Sequence, residues 1–366
     1  MGSTFEIADR PMFGRLARPP MTPATDPRIR PALREALAKF GLDGFQEPPL
    51  VDRHGPLERV LEAVRLQHDN FEGFLDALMD GRSVERDDVE ETSAFVSGED
   101  GHQIEVRIYR PRDVTGPLDA VIYMHGGGMA ILNTFNKVHT RWLVDMASAG
   151  LVSVNIDFRN SYTPQGLNPF PTGLQDCATA VQWVHENRSG LGISRLALHG
   201  DSGGGNLVLA TALKAQREAW VEMIDGVYAS VPYTSGATAW PLERRLRELP
   251  SLVELDGYTI TTAGTDLQTF IYDPTGEHAE NPLAWPYYAQ AKDLEGLPPH
   301  RIVVEELDPL RDDGIAYFHK LQQAGISVTG RVNLGLVHAA EMVFHEALAD
   351  DYALRLADVK QFTQTL

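Results

Sequence analysis

A serine set among glycines, at the seam between an apolar run and a helical stretch, constrains this chain more than any other feature. Leu196 to His199 reads as a buried strand and Gly204 to Ala219 as a helix, with Gly200-Asp201-Ser202-Gly203-Gly204 between them. G-x-S-x-G in a strand–turn–helix setting is the pattern of a nucleophile elbow. The turn is so sharp that the residues two before and two after the serine must be very small, and both are glycine. The serine hydroxyl then stands above the end of a strand, with a helix N-terminus beneath it that favours negative charge. A bare turn or a glycine-rich phosphate loop is the competing reading. No Gly-Lys-Ser or Gly-Lys-Thr follows, which disfavours a P-loop. G-x-G-x-x-G is missing after the first strand, which disfavours a dinucleotide site.

The elbow belongs to a longer alternation. Thr92 to Val96 and Ile104 to Tyr109 read as strands around the turn Gly98-Glu99-Asp100-Gly101. Ala120 to Met124, Leu151 to Ile156, Gly226 to Val231, Ile302 to Glu305 and Val328 to Val332 are further short apolar runs. Helical spacing lies between them, over Lys137 to Ala149, Gly173 to Asn187 and Arg311 to Ala324. Such alternation predicts an α/β domain with a mostly parallel sheet, helices covering both faces. Two stretches depart from it. Residues 1–86 are rich in proline and charge, with helical spacing at Pro31 to Lys39, Leu57 to Leu66 and Phe71 to Met79. Residues 232–269 form an insertion between two strands. Long insertions tend to be lids or binding elements. The expected organisation is therefore an N-terminal helical cap segment over 1–86 and a catalytic domain over 87–366, with 232–269 completing the cap.

A second glycine run, Met124-His125-Gly126-Gly127-Gly128-Met129, follows the strand Ala120 to Met124 directly. Bare backbone amides there can approach a reacting carbonyl. Acyl transfer builds a negative oxygen, and losing one prearranged N–H donor typically costs about 100- to 1000-fold in rate. The expected oxyanion hole is Gly127, Gly128 and the amide of Gly203. A flexible linker would not be expected to follow a buried strand so directly. His125 is read as a residue that orients the loop.

With a serine on such an elbow, the acid and the base follow in the order Asp or Glu, then His. Ile302 to Gly314 offers Glu305, Glu306, Asp308, Asp312 and Asp313. Asp308 falls in the loop after the strand and is the expected acid, with Glu305 and Glu306 as fallbacks. Asp312 and Asp313 fall in the first turn of the next helix, where acids serve the helix dipole. His338 lies in the loop beyond Val328 to Val332 and is the expected base. His319 and His345 sit in helical patterns, and His300 precedes a strand. In the resulting catalysis His338 takes the proton of Ser202, which attacks an acyl carbonyl, while Asp308 holds the imidazole.

Composition narrows the partners. With 51 acidic and 32 basic residues, the formal net charge is -19. That argues against nucleic acid and anionic membranes as partners. No stretch approaches the roughly 18 uninterrupted apolar residues of a membrane span. Met1 to Pro20 holds no continuous apolar run, so no secretory leader is expected. The lone cysteine, Cys177, permits no internal disulfide and reads as helix packing, which fits a cytoplasmic enzyme. No metal-ligand spacing such as H-E-x-x-H occurs, and neither metal nor cofactor is expected. A homodimer is plausible because closed two-fold symmetry is the commonest assembly.

Together these motifs resemble a known group. His125-Gly126-Gly127-Gly128, Gly200-Asp201-Ser202-Gly203-Gly204, Asp308-Pro309-Leu310-Arg311-Asp312 and the loop histidine His338 are similar to the hormone-sensitive-lipase-like microbial carboxylesterases. Asp157-Phe158-Arg159 through Asn168-Pro169-Phe170-Pro171 to Asp176 matches the same pattern. The resemblance implies an α/β-hydrolase fold: an eight-stranded, mostly parallel sheet flanked by helices, with a helical cap. It also implies the triad and oxyanion roles above, and hydrolysis of small-molecule esters with short to medium acyl chains. A serine peptidase or amidase would share the triad, and a non-catalytic relative would usually lack one of its members. Two departures stand out. The group usually has alanine after the nucleophile and often glycine after the base, whereas this chain has Gly203 and Ala339. The first is expected to change pocket room without touching the amide donor.

Overall fold

The computed structural model describes residues 13–366. The first twelve, which carry most of the stretch read as lacking a leader and the start of the cap segment, lie outside the described residues. The sheet has eight strands: β1 (Val89–Ser97), β2 (Gln103–Pro111), β3 (Leu118–Met124), β4 (Val152–Ile156), β5 (Ile193–Asp201), β6 (Gly226–Ser230), β7 (His300–Glu305) and β8 (Val328–Asn333). Their order across the sheet is β1-β2-β4-β3-β5-β6-β7-β8. β2 pairs antiparallel with β1 and with β4, and all other neighbours are parallel. This is the α/β architecture that the alternation predicts.

The central strands explain why they read as continuous apolar runs. β4 and β6 are buried at every position, because helices cover both faces. The helices are α1 (Pro31–Lys39), α2 (Leu57–Leu78), α3 (Lys137–Ser148), α4 (Thr172–Glu186), α5 (Gly203–Arg217), α6 (Leu242–Glu248), α7 (Ser251–Glu254), α8 (Thr262–Tyr272), α9 (Ala291–Leu294), α10 (Arg311–Gln323), α11 (Ala340–Val343) and α12 (Ala349–Gln364). The main core includes Ile122, Val154, Leu198, Val208 and Val227, none of them exposed. Cys177 on α4 is buried in the same cluster. α3 is capped at its start by Asn136, whose side chain accepts from the His139 amide at 3.0 Å.

Three local differences from the sequence reading have simple causes. The two helical stretches at 57–66 and 71–79 are one helix, α2, because the intervening Gln67-His68-Asp69-Asn70 contains no breaker. The insertion read as 232–269 is followed by the last turn of α8, to Tyr272, and by further chain before β7 begins at His300, because the apolar pattern of β7 starts only there. His345 lies in the turn between α11 and α12. The N-terminal segment packs onto the insertion: Arg53 forms an ion pair with Asp266 of α8, donating at 2.7 Å through Nε. α2 also carries a half-polar face toward α8, where Gln268 Nε2 donates to Gln67 Oε1 at 3.1 Å. Among the described residues no helix is long and apolar enough to cross a membrane.

Candidate active site

Ser202 stands between β5 and α5 with φ 57° and ψ -117°. Few non-glycine residues tolerate such angles, and a fixed frame must hold them. Its own amide donates to the Ser230 carbonyl at 2.9 Å. Its carbonyl accepts from the amides of Asn206 at 3.0 Å and Tyr233 at 3.1 Å. Close approach explains the glycine two residues later: a Cβ on Gly204 would overlap the Met124 carbonyl.

The three side chains singled out as acid, base and nucleophile meet. His338 Nε2 lies 2.9 Å from Ser202 Oγ, and His338 Nδ1 lies 2.8 Å from Asp308 Oδ2. The other oxygen of Asp308 accepts from the Leu310 amide at 2.8 Å, which fixes the carboxylate plane. Asp308 is fully buried, whereas the His338 side chain keeps 11% of its surface exposed. Burial alone would lower the His338 pKa, but the Asp308 carboxylate and its hydrogen bond raise it above the ordinary imidazole value, helped by Asp201 and Glu341. The four other acids of this stretch face elsewhere. Glu305 accepts from Asn333 and Glu306 from the Gly335 amide. Asp312 holds Ser251, and Asp313 accepts the amides of Thr234 and Ser235, both at 2.8 Å.

The glycine loop after β3 lies against the elbow. Gly127 and Gly128 have φ of 109° and 62°, conformations that favour glycine. Among the described residues the amides of Gly127, Gly128 and Gly203 donate to no protein acceptor. A Cβ on Gly203 would come within 2.6 Å of the Gly128 nitrogen and closer still to that of Met129. This corrects the expectation about Gly203: alanine there would press on the glycine loop itself, and not merely take up pocket room. His125 bonds and stacks within its own surroundings, as a residue that orients the loop would. Burial pushes its pKa down to about 3. Its ring stacks on Phe158 at 4.5 Å, and its Nδ1 lies 2.6 Å from the Gly126 carbonyl.

A cavity of about 690 Å³ opens onto Ser202 and His338. Phe71 and Phe74 of α2, Ile260 and Gln268 of the insertion, and Ile131 are among its walls. Volume and apolar lining suit a small organic molecule. Sequence reading missed these wall residues singly. The helical spacing of Phe71 and Phe74 is visible in the sequence, but which face of α2 meets the site depends on how that helix docks. Among the described residues no group of three or more His, Cys, Asp or Glu is placed to hold a metal ion.

Comparison with known proteins places these features in context. Residues 121–342 match the profile of the alpha/beta hydrolase fold family. The carboxylesterase NlhH of Mycobacterium tuberculosis is 34% identical over 249 residues, covering 64% of this chain and 73% of the relative. An arylesterase of Saccharolobus solfataricus is 30% identical over 269 residues, covering 70% and 79%. Among solved structures, brefeldin A esterase, described as a bacterial homologue of human hormone sensitive lipase, superposes with a TM-score of 0.93. It is 49% identical, and the match covers 97% of this chain and 98% of that one.

Proposed function

Because the chain belongs to the hormone-sensitive-lipase-like branch of the α/β-hydrolase family, we propose that it is a serine carboxylesterase working through Ser202, His338 and Asp308. The observation that carries this reading is the continuous hydrogen-bonded line from Asp308 through His338 to Ser202, with steps of 2.8 and 2.9 Å. In the proposed cycle His338 accepts the Ser202 proton as Oγ attacks the ester carbonyl. Asp308 keeps the imidazole in the tautomer whose Nε2 is free, and stabilises the imidazolium that forms. The oxygen that becomes negative is received by the amides of Gly127, Gly128 and Gly203, which among the described residues have no other protein acceptor to release. The imidazolium then protonates the departing alcohol. Water, deprotonated by His338, cleaves the acyl-enzyme and frees the acid.

The N-terminal segment to residue 86 and the insertion at 232–269 act, in this reading, as the cap that sets which esters enter. Their side chains supply much of the cavity wall. Proposed substrates are esters with short to medium acyl chains, and lactones fall within the same chemistry. Purified protein is expected to release nitrophenol from p-nitrophenyl esters. Ser202→Ala should lower kcat by at least about a thousandfold. Activity that survives this change would overturn the triad. A chain-length series, run beside a macrocyclic lactone and a matched anilide, would rank esters, lactones and amides by kcat/KM.

A further inference from the structure

A fully buried guanidinium joins the elements that carry the nucleophile and the base. Arg355 sits on α12 with no exposed surface. One arm pairs with the Asp201 carboxylate, and the other donates to Glu341 Oε1 at 3.0 Å. Its carbon lies 4.8 Å from the centre of the Trp142 ring. Asp201 immediately precedes Ser202, and its second oxygen accepts the Tyr123 hydroxyl at 2.8 Å. Glu341 lies on α11, three residues beyond His338. Behind it stands Glu305, at the end of β7 and three residues before Asp308. Burial and the Glu341 carboxylate push Glu305 well above the usual carboxylate range. Each triad residue thus has a member of this buried cluster within three positions along the chain.

Such a cluster is a poor way to gain stability. Desolvating a cation and two carboxylates rivals their mutual attraction, and well-packed apolar side chains often hold a fold as firmly. What the charges add is direction, because a guanidinium fork fixes two carboxylates in one plane. Resting on the triad reading, we propose that Arg355 is a positioning residue for ester hydrolysis. It clamps Asp201 and Glu341 from behind, and so keeps the nucleophile elbow and the histidine loop within hydrogen-bond reach of each other. Three carboxylates bear on His338: Asp308 from the loop after β7, Asp201 from the elbow and Glu341 from α11. Without the guanidinium, the last two act on the imidazole uncompensated and favour its charged form.

The test compares Arg355→Lys, Arg355→Gln and Glu341→Gln with the parent. Melting temperatures establish folding. Active sites are counted with an irreversible serine reagent, and p-nitrophenyl butyrate hydrolysis is followed from pH 5.5 to 9. Lysine places one point charge where two arms are needed. Arg355→Lys should therefore lower kcat per titrated site about tenfold with KM within about twofold, as misplacement of reacting groups does. Arg355→Gln should also move the acid limb of kcat/KM to higher pH. A folded Arg355→Lys that keeps kcat per site within about twofold, with its acid limb in place, would overturn the proposal. Should the lysine variant not fold, Glu341→Gln decides by the same kcat-against-KM readout, since it removes only the charge of one partner. Ser202→Ala, run alongside, separates the two readings: activity there would sink the triad whatever Arg355 does.

Discussion

At Ser202 the strained backbone and the line of hydrogen bonds to Asp308 make predictions that belong to single residues. The His338 pKa is raised overall, because the Asp308 carboxylate and its hydrogen bond outweigh burial. In the proposed mechanism the neutral form is the working base, so activity should be lost as pH falls through this raised value. The acid limb of kcat/KM should then have its midpoint above about 6.5, the ordinary imidazole value. A profile flat down to about pH 5 would exclude His338 as base. Gly203 supports a second prediction. A methyl there meets the Gly128 nitrogen at 2.6 Å, and backbone cannot swing aside as a flexible side chain can. If the glycine amides form the proposed oxyanion hole, Gly203→Ala should lower kcat by roughly one to two orders of magnitude through a displaced donor, with KM little changed. Unchanged kcat would show that the glycine loop gives way freely. That Ser202, Asp308 and His338 would meet beside a glycine loop was legible in sequence, because each motif depends on neighbours in the chain. The pressure of Gly203 on Gly128 was not, because it joins residues 75 positions apart that only strand pairing brings together.

At the scale of elements, the eight strands and the helices between them follow the hydrophobic pattern, and their bounds move by only a few residues. Less legible was how the helices outside the alternation would dock. α2 has apolar residues on several sides, and its buried Val60 and Val64 pack with Ile131, Leu267 and Ile271 from the glycine loop and α8. Beside the Gln67–Gln268 hydrogen bond, a charged tie between the N-terminal segment and α8 is the Arg53–Asp266 pair, with side chains 23% and 16% exposed. At such exposure water screens the pair, and Arg53→Ala should cost no more than about 1 kcal/mol of stability. Its effect should appear instead in binding, as a severalfold rise in KM for bulky esters with kcat nearly constant. Chain-length series on both proteins would measure it, and equal KM values for all esters would refute a role for this tie in seating the cap.

For the whole molecule, buried histidines set the response to acid. Burial pushes His125 down to about 3, and His139, His199 and His300 down to about 4. A histidine whose pKa is lowered by folding leaves stability intact above its unfolded value near 6.5, and stability is lost as pH falls below it. Asp313, pushed up to about 7 by burial, and Glu305, Glu72 and Asp157, also raised by burial, act in the opposite sense, but with His345, likewise down to about 4, the histidines outnumber them. The melting temperature should therefore fall steeply between about pH 6.5 and 4, after activity has already declined. A melting temperature that holds or rises over that interval would contradict this account. The sequence by itself determined the sheet, its flanking helices and the residue types at the reacting centre. Periodicity of 2 and 3.6 and the steric demands of tight turns act over a few neighbouring residues, and leave a local trace. Only the tertiary structure decided that Arg355, 153 positions beyond Ser202, stands behind the elbow, and which aromatic faces of α2 close the cavity. Those outcomes depend on how separate elements pack, and packing is fixed by the summed fit of many surfaces that no short stretch of sequence records.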